Sequence, residues 1–513
     1  MNVRISRGFW RSDPAVLISM GLIKFLAHVF FNGRYGFFRD ELYEIICGRR
    51  PAFGYVDHPP LTPLAARLSG GLFGDSLLGL RILPALAGAA TVVLAGLIVR
   101  KLGGGRFAQV LAGTAVIVSG VILNFGVLLT NNAFDIFFWT LAVYVLILIL
   151  KDDRPKLWLV FGLIVGAALQ NKYSILFLMA GLAVGLLLTS ARKQLLSVWL
   201  WLGAALALLL FLPNLLWQLN HGLPFIELNR NAVLYKNTVL SPLQFLGGQV
   251  MEAAPTGFLL LLAGLYYLFR APGLKTLRLF GWAYAAVFLI FVFSGGKTYY
   301  IAPFYPFMFA AGALAVERWI SRSARDWLKP CAVALLVVTA APGIPFALPI
   351  LRPEGLVAYS RFLGINPPSG ERHRMGVLPQ HYADQFGWLE MAEVVARAYE
   401  SLEKDEKAEC AIFAQNYGEA SAIDFFGPRF GLPPAVSGHN NYWVWGPGER
   451  SASVLIAIGG REEDYRKAFA VVTEVARTQC EFAMPYENDL PIFICRGPQV
   501  VLRDIWPRLK HYS

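Results

Sequence analysis

Two adjacent carboxylates are the first candidates for chemistry in this sequence. Asp40 and Glu41 lie in the segment FFRDELY, residues 37–43, directly after the first long apolar stretch. At a membrane surface the low dielectric disfavours the charged form of a carboxylate, which makes it a usable general base. Transfer of a group to a hydroxyl or an amine needs such a base. The alternative interpretation, that the two acids are simply solvated or neutralise Arg39, remains open.

A second polar segment follows in the sequence GYVDHPP, residues 54–60. Asp57 and His58 precede two prolines, which restrict the backbone and so can hold neighbouring polar groups still. His58 is a candidate contact for an anionic ligand. The alternative is that Asp57 and His58 form only a local hydrogen-bonded pair.

Asp135 is a third candidate acid, because it lies near the start of the apolar stretch that follows Thr130. An ionisable residue at the edge of a membrane span is a functional candidate by default. A capping role for Asp135 at the start of a helix is the competing interpretation.

Lysines occur at the outer ends of two later apolar stretches. Lys172 lies in NKY, residues 171–173, and Lys297 lies in GGKTYY, residues 295–300, together with Tyr299 and Tyr300. Lysines outside run against the positive-inside bias and call for another explanation. A lysine is a mobile point charge that suits phosphate, and a tyrosine can donate a hydrogen bond to it. These residues are therefore candidate phosphate contacts, with interfacial anchoring as the alternative.

Two histidines suggest a metal site. His221 and His439 lie in separate segments, and together with Asp57 they could supply two imidazoles and one carboxylate to a divalent metal. Such a site requires three distant segments to meet. No cofactor follows with certainty from the sequence, and a divalent metal is the one candidate.

The elements that must position these residues are membrane helices. Of the 513 residues, 56% are hydrophobic and 16% are charged, which is too apolar for a water-exposed surface. A bilayer core of roughly 30 Å needs about 20 apolar residues per helix, and a single signal peptide cannot account for so many apolar stretches. About eleven spans are predicted. They cover residues 14–32, 82–99, 107–129, 133–150, 157–170, 174–190, 197–214, 256–270, 279–294, 301–317 and 331–351.

Basic clusters predict the orientation. They begin with Arg4, Arg7 and Arg11 and recur in every second connection, which favours a cytoplasmic N-terminus in a bacterial inner membrane. The net charge of +12 comes from these short clusters and from no single basic face, so a nucleic-acid partner is not indicated. An odd number of spans then places the polar tail in the periplasm.

The chain is predicted to have two domains. Residues 1–351 form the transmembrane domain, with amphipathic helices in the outer loop 33–81, and residues 352–513 form a small periplasmic α/β domain. Short buried strands are predicted at 410–414, 454–459 and 491–495, and helices at 387–404 and 462–480.

The five cysteines show no spacing typical of a metal or redox site. The sequence allows one disulfide among Cys410, Cys480 and Cys495.

Taken in order, six segments resemble one enzyme family. They are Asp40–Glu41, YVDHPP at 55–60, NAFDIFFW at 132–139, NKYS at 171–174, GKTYY at 296–300 and GHNNYW at 438–443. Over nearly its whole length the chain resembles the bacterial members of glycosyltransferase family 39. These are C-type transferases and include protein O-mannosyltransferases, the lipid A aminoarabinose transferase and Rgt-type galacturonosyltransferases.

The resemblance implies a C-type glycosyltransferase fold and a donor in which the sugar is linked to a polyprenyl phosphate. It further implies transfer with inversion at the outer membrane face, with Asp40 as the general base, Glu41 beside it and Asp135 as a second acid of the cavity. The aminoarabinose transferase carries a Glu-Lys-Pro-Pro turn where this chain has residues 57–60, DHPP. Lys297 is therefore a better candidate for the phosphate contact than His58.

The predicted function is transfer of a sugar to lipid A, another glycolipid, a polysaccharide or a protein. No GxxxxGK[ST] motif for ATP-driven transport is present, and the inner connections are too short for a nucleotide-sugar-binding domain. Three alternatives remain. A lipid-linked-sugar transporter or flippase would carry charges deep within its spans and two related halves. An oligosaccharide ligase would favour more arginines near the outer face, and a non-catalytic subunit would use the tail to bind a partner.

Overall fold

A computed structural model of the chain describes residues 13–238, 240–365 and 372–513. Arg4, Arg7 and Arg11, on which the predicted cytoplasmic N-terminus depends, lie outside the described residues. The described chain divides into two compact units. The first comprises residues 13–33, 73–215 and 240–350, and the second comprises 34–72, 216–238, 351–365 and 372–513.

Helices dominate the chain up to residue 350. In chain order they are α1 (Asp13–Phe31), α2 (Arg39–Arg49), α3 (Leu61–Phe73), α4 (Leu77–Leu102), α5 (Arg106–Val118), α6 (Gly120–Phe125), α7 (Asn131–Asp152), α8 (Leu157–Leu169), α9 (Ile175–Leu187), α10 (Val198–Asn220), α11 (Pro224–Asn231), α12 (Pro242–Ala253), α13 (Pro255–Arg270), α14 (Arg278–Phe293), α15 (Tyr305–Ser323), α16 (Leu328–Ala340) and α17 (Ile344–Ala347).

Helices and strands alternate in the rest of the chain. The helices are α18 (Pro353–Leu363), α19 (Gln380–Ala383), α20 (Trp388–Glu400), α21 (Lys404–Glu409), α22 (Tyr417–Phe426), α23 (Asn440–Trp445), α24 (Glu462–Arg466) and α25 (Leu502–Ile505). The strands are β1 (Ala411–Ala414), β2 (Ala435–Val436), β3 (Val454–Ile458), β4 (Phe469–Arg477) and β5 (Pro491–Pro498).

The protein is a multi-pass membrane protein. Within the described residues, 7 helices are long and apolar enough to cross a bilayer, or up to 9 if each of two bent helix pairs is one span. All eleven predicted spans fall on apolar helices, but α5 and α8 have only 13 residues each. A helix of that length is about 20 Å long, shorter than the bilayer core. Length and composition therefore support seven to nine spans, fewer than the eleven predicted.

The predicted continuous span 107–129 is broken at Ser119. The backbone of Ser119 is extended, with ψ 122°, between the end of α5 and the start of α6. Helix α1 and the residue after it provide hydrogen bonds beside the break. Lys24 Nζ of α1 donates to Ile122 O at 3.2 Å, and Asn32 Nδ2, directly after α1, donates to Gly126 O at 3.0 Å. Backbone groups in a lipid environment must be satisfied internally, so these polar side chains stabilise the interruption.

Small residues allow close helix packing in the first unit. A Cβ atom at Gly312 of α15 would lie 2.0 Å from the carbonyl oxygen of Leu260 in α13, and one at Gly264 would lie 2.5 Å from Met308 O. Glycine is therefore required at both positions for the two helices to approach as they do. This packing fixes the start of α15, which follows the segment 295–304.

The second unit contains a five-stranded mixed sheet in the order β2-β1-β3-β5-β4. Strand β1 pairs in parallel with β2 and β3, whereas β5 pairs antiparallel with β3 and β4. The core on one face includes Leu455, Ala457, Phe493 and Cys495, all buried. The strands predicted at 410–414, 454–459 and 491–495 are thus confirmed, as is the predicted helix at 387–404, which is α20.

One prediction for the tail is wrong, and one possibility that the sequence left open is not realised. Residues 462–480 were expected to form one helix, but α24 ends at Arg466 and Phe469–Arg477 forms β4. Its β-branched valines and cross-strand pairing with β5 outweigh the helical pattern. The disulfide that the sequence allowed is absent, since all five cysteines are free. Cys410 directly precedes β1 and Cys495 lies in β5 with β3 between them, so about 10 Å separates the strands, too far for a disulfide.

Candidate active site

Helix α2 places the two predicted acids in its first turn, and there they have different surroundings. Glu41 Oε2 accepts a hydrogen bond from the backbone N–H of Phe38 at 2.9 Å, and the Glu41 side chain is buried. Glu41 is therefore a cap of α2. The side chain of Asp40 is 40% exposed. Of the two acids, Asp40 is the one that an incoming substrate could reach.

Asp40 is held by groups distant in sequence. The hydroxyl of Tyr417 donates to Asp40 Oδ1 at 2.7 Å, and Arg39 Nε lies 3.6 Å from the same oxygen. Burial raises the pKa of Tyr417 well above its usual value, so the phenol remains a protonated donor. The arrangement keeps a partly exposed carboxylate in one orientation.

Asp57 and His58 belong to a buried acidic cluster. Tyr43 donates to Asp57 Oδ1 at 3.1 Å, and Asn440 donates to Asp57 Oδ2 at 3.3 Å. His58 Nε2 lies 3.6 Å from Asp57 Oδ1 and 3.7 Å from Glu44 Oε2, which are ion-pair distances. The local pairing of Asp57 with His58 is thus present as a charge contact, and Glu44 is an additional member.

The titration of this cluster is strongly perturbed. Burial raises the pKa of Glu44 to about 8 and also raises the pKa of Asp57. Burial alone would lower the pKa of His58, but the charges of Glu44 and Asp57 outweigh it and raise that pKa. The cluster therefore favours the charged form of the imidazole and the neutral form of the carboxyl groups.

In the first unit, Asp135 is a buried partner of Lys172. Ser174 Oγ donates to Asp135 Oδ1 at 2.6 Å, and Lys172 Nζ lies 4.0 Å from Asp135 Oδ2. Lys172 also donates a hydrogen bond to Asn132 Oδ1. Asp135 is only 3% exposed, so it orients and neutralises Lys172 instead of facing open solvent.

Lys172 lies among the other predicted phosphate contacts of this unit. Its Nζ atom is 5.9 Å from the ring centroid of Tyr299 and 5.8 Å from that of Tyr300. The pKa of Lys172 is lowered, mainly by burial and also by the positive charge of Lys297. The negative charge of Asp135 partly opposes this shift. We call Lys172, Lys297, Tyr299 and Tyr300 the lysine–tyrosine cluster. His58, the fifth predicted phosphate contact, belongs to the other unit.

Residues that the sequence analysis missed hold the segment of Lys297 in place. Gln249 donates to the backbone oxygen of Thr298 at 2.9 Å and accepts from Tyr305. Thr298 Oγ1 donates to Glu252 Oε1 at 2.9 Å. No local sequence signal links α12 to residues 298–305, because these contacts join segments about 50 positions apart.

The predicted metal site is not assembled. Among the described residues, no three His, Cys, Asp or Glu side chains form a group that could hold a metal ion. His221 stacks on Trp217, with ring centroids 4.0 Å apart, and its Nδ1 lies 2.8 Å from Trp217 O. His439 stacks on His511 at 4.2 Å. The prediction that Asp57, His221 and His439 hold a metal is therefore wrong for the described residues.

In sequence, the chain is similar to known glycosyltransferases. Residues 57–217, just under a third of the chain, match the family model described as dolichyl-phosphate-mannose-protein mannosyltransferase. Over 337 residues the chain is 23% identical to the lipid A galacturonosyltransferase RgtD of Rhizobium johnstonii, covering 64% of this chain and 70% of that protein. Over 156 residues it is 32% identical to the polyprenol-phosphate-mannose–protein mannosyltransferase of Corynebacterium glutamicum. That match covers 25% of this chain and 29% of the relative.

The fold is that of ArnT. The crystal structure of ArnT from Cupriavidus metallidurans bound to undecaprenyl phosphate matches with a TM-score of 0.60 and 14% identity, over 96% of this chain and 100% of that one. The apo structure of the same protein matches with a TM-score of 0.58 and 14% identity, over 94% and 99% of the two chains. The chain is therefore a membrane glycosyltransferase with the fold of ArnT.

Proposed function

We propose that the chain transfers a sugar from a polyprenyl-phosphate carrier to an acceptor of the bacterial envelope, at the outer face of the inner membrane and with inversion. The observation that carries this proposal is the lysine–tyrosine cluster. It gathers two lysines and two tyrosines at the ends of apolar helices, where a lipid-linked phosphate would lie.

The cluster has the chemistry of a phosphate site. Lysine provides mobile positive charge for phosphate oxygens, and tyrosine provides a neutral hydrogen-bond donor. Asp135 and Asn132 hold Lys172 by contacts to its ammonium group. The relative of known structure, ArnT, is bound to undecaprenyl phosphate, which supports a donor of the same kind for this chain.

The reaction we propose is a single displacement. The acceptor oxygen or nitrogen attacks the anomeric carbon, and the bond from that carbon to the phosphate oxygen breaks. Asp40 takes the proton from the acceptor, and the polyprenyl phosphate leaves with the electron pair of the broken bond. Lys172 and Lys297 stabilise the charge that develops on the leaving phosphate, so the chemistry needs only a base and charge compensation.

In this proposal, Glu41 and the cluster of Glu44, Asp57 and His58 take no direct part in the displacement. Glu41 caps the helix that carries Asp40. His58 is retained as a secondary candidate for the donor phosphate. The periplasmic orientation rests on the basic residues of alternate connections, among them Lys101, Arg154 and Arg322.

Lipid A is the first acceptor to test, because RgtD is a lipid A galacturonosyltransferase. The test uses the purified full-length chain in nanodiscs with undecaprenyl-phosphate-linked galacturonic acid, mannose or aminoarabinose. Lipid A and a peptide are offered as acceptors. We expect one donor to yield a glycosylated product by mass spectrometry. Folded protein that transfers no sugar from any of these donors, or that transfers equally from nucleotide sugars, would contradict the proposal.

A further inference from the structure

We infer that Tyr417 and Arg39 position the general base, so that the sheet-containing tail contributes directly to the transfer site. This inference rests on the proposed function, since it assumes that Asp40 is the base. It goes beyond that function because it assigns a positioning role in the reaction to a residue 377 positions away from Asp40.

Both contacts are made to the same oxygen of Asp40. The Tyr417 hydroxyl lies 2.7 Å from Oδ1, and Arg39 Nε lies 3.6 Å from it. A carboxylate that is hydrogen-bonded through one oxygen has a fixed orientation, and its second oxygen is then the proton acceptor.

Tyr417 is itself fixed by the start of α22. Asn416 caps this helix, because its Oδ1 accepts from the backbone N–H groups of Gly418 at 2.8 Å and Glu419 at 3.1 Å. The backbone N–H of Tyr417 donates to His439 Nδ1 at 3.3 Å. The Tyr417 ring packs on Tyr43, with centroids 4.6 Å apart. The phenol therefore reaches Asp40 from a rigid support.

The side chain of Arg39 is also fixed by its contacts. Its Nη1 donates to the hydroxyl of Tyr486 at 3.2 Å, and its guanidinium carbon lies 5.3 Å from the centroid of the Tyr417 ring. A Cβ atom at Gly418 would lie 2.5 Å from Arg39 Cγ and 2.6 Å from Cδ. Glycine at the start of α22 thus leaves space for the Arg39 side chain.

Loss of the hydrogen bond from Tyr417 to Asp40 has different expected outcomes if Tyr417 is only structural and if it positions the base. A hydrogen bond to a partly exposed carboxylate contributes little net stability, so its removal should leave the fold intact. A positioning role predicts instead that kcat falls while the KM for the donor and the melting temperature stay near their wild-type values. The two roles are separated by this difference between kcat and the other two quantities.

The test is Tyr417→Phe in the full-length protein, with transfer measured on the donor and acceptor that the wild type uses. We expect kcat to fall about tenfold, as for the loss of a hydrogen bond to a charged group. The KM for the donor should stay within about twofold. Tyr442→Phe is the matched control, since Tyr442 is also buried and donates to a carboxylate, Asp424 Oδ2, at 2.9 Å.

An unchanged kcat in Tyr417→Phe would overturn the inference, as would an equal loss of kcat in Tyr442→Phe. If Tyr417→Phe does not accumulate, Arg39→Lys takes its place and should also lower kcat at an unchanged donor KM. A wild-type kcat in that variant would likewise overturn the inference. Failure of the proposed function is distinct, because then the wild type itself would transfer no sugar.

Discussion

At the residue scale, the two lysines of the lysine–tyrosine cluster are supported differently. Lys172 is the ionic partner of the buried Asp135 and a donor to Asn132. Lys297 begins the segment whose backbone is held by Gln249 through Thr298 O. Removal of Lys172 would leave a buried acid without its cation, which is costly. Removal of Lys297 would take away a positive charge but would leave the pairing of Asp135 with Lys172 in place.

We therefore predict a split between the two variants. Lys297→Ala should raise the donor KM about tenfold, as expected for one lost charged contact to phosphate, with little change in the acceptor KM or the melting temperature. Lys172→Ala should raise the donor KM and also lower the melting temperature. Steady-state transfer and thermal unfolding in detergent measure both effects. Lys193→Ala is the control, because Lys193 is exposed. Unchanged donor KM in both cluster variants would contradict the assignment.

A pair of buried carboxyl groups gives the second unit a pH dependence. Asn416 Nδ2 donates to Glu419 Oε1 at 2.8 Å and to Glu487 Oε1 at 3.0 Å. Burial raises the pKa of Glu487 to about 7, Arg39 opposes this rise and Asp384 adds to it. Burial also raises the pKa of Glu419 well above its usual value. The folded state therefore binds protons more tightly than the unfolded state.

The sign of the effect follows from these raised pKa values. The stability that the pair contributes is fully present below pH about 4.5 and is lost as the pH rises through about 7. We predict that segment 411–426 exchanges its amide hydrogens at least about tenfold faster at pH 8 than at pH 5.5, after correction for intrinsic rates. Glu487→Gln should reduce this difference, and Glu400→Gln, an exposed acid, should not. Equal protection at both pH values would refute the prediction.

Residue types and their position along the chain were sufficient to find Asp40, Lys172 and Lys297 as candidates. They were not sufficient to find Tyr417 or Glu44. A buried tyrosine is common in any core, so its role appears only when the fold brings it 2.7 Å from Asp40. Glu44 lies one helical turn after Asp40, and this spacing on α2 was the one signal that could have identified it.

At the element scale, the break between α5 and α6 explains why an ionisable residue, Lys24, lies within the span formed by α1. The sequence analysis associated such charges with transporters. Here Lys24 Nζ donates to the carbonyl of Ile122 beside the break, so its role is structural. Hydropathy alone located the apolar segment correctly, but it could not reveal the extended residue Ser119, because that break depends on partners from α1 and α12.

We predict that Lys24→Met destabilises the protein by about 1–3 kcal/mol, since the Ile122 carbonyl then lacks this donor in an apolar environment. Thermal unfolding of the detergent-solubilised protein, followed by its intrinsic fluorescence, measures the effect. Ile23→Met, an exposed neighbour on α1, is the control and should behave like the wild type. A melting temperature of Lys24→Met equal to that of the wild type would show that the bond is dispensable.

Strand β4 lies where the sequence analysis predicted a helix. The segment FAVVTEVAR was compatible with a helical pattern when considered alone. Its pairing with β5, which includes the register Val472 opposite Cys495, decides the structure. The β-branched residues of the segment also favour a strand, but this signal and the helical spacing conflict in the sequence, and the pairing decides between them.

At the scale of the whole molecule, the second unit combines three separate parts of the chain. Residues 34–72 and 216–238 join the tail from residue 351 onward. The sequence analysis predicted a domain boundary at 351/352 from the change in hydropathy, and hydropathy cannot indicate that loops between spans belong with a distant tail. The contact of Tyr417 with Asp40 depends on this arrangement.

The central claim is that Asp40 performs chemistry while the lysine–tyrosine cluster binds the donor phosphate. Its most direct test compares Asp40→Asn with the wild type in two assays on the same nanodisc samples. The assays are binding of undecaprenyl phosphate by native mass spectrometry and single-turnover sugar transfer. We predict that Asp40→Asn binds undecaprenyl phosphate as the wild type does, whereas transfer falls at least about 100-fold. The exposed-acid variant Asp504→Asn should match the wild type in both assays. Transfer by Asp40→Asn at the wild-type rate would contradict the account.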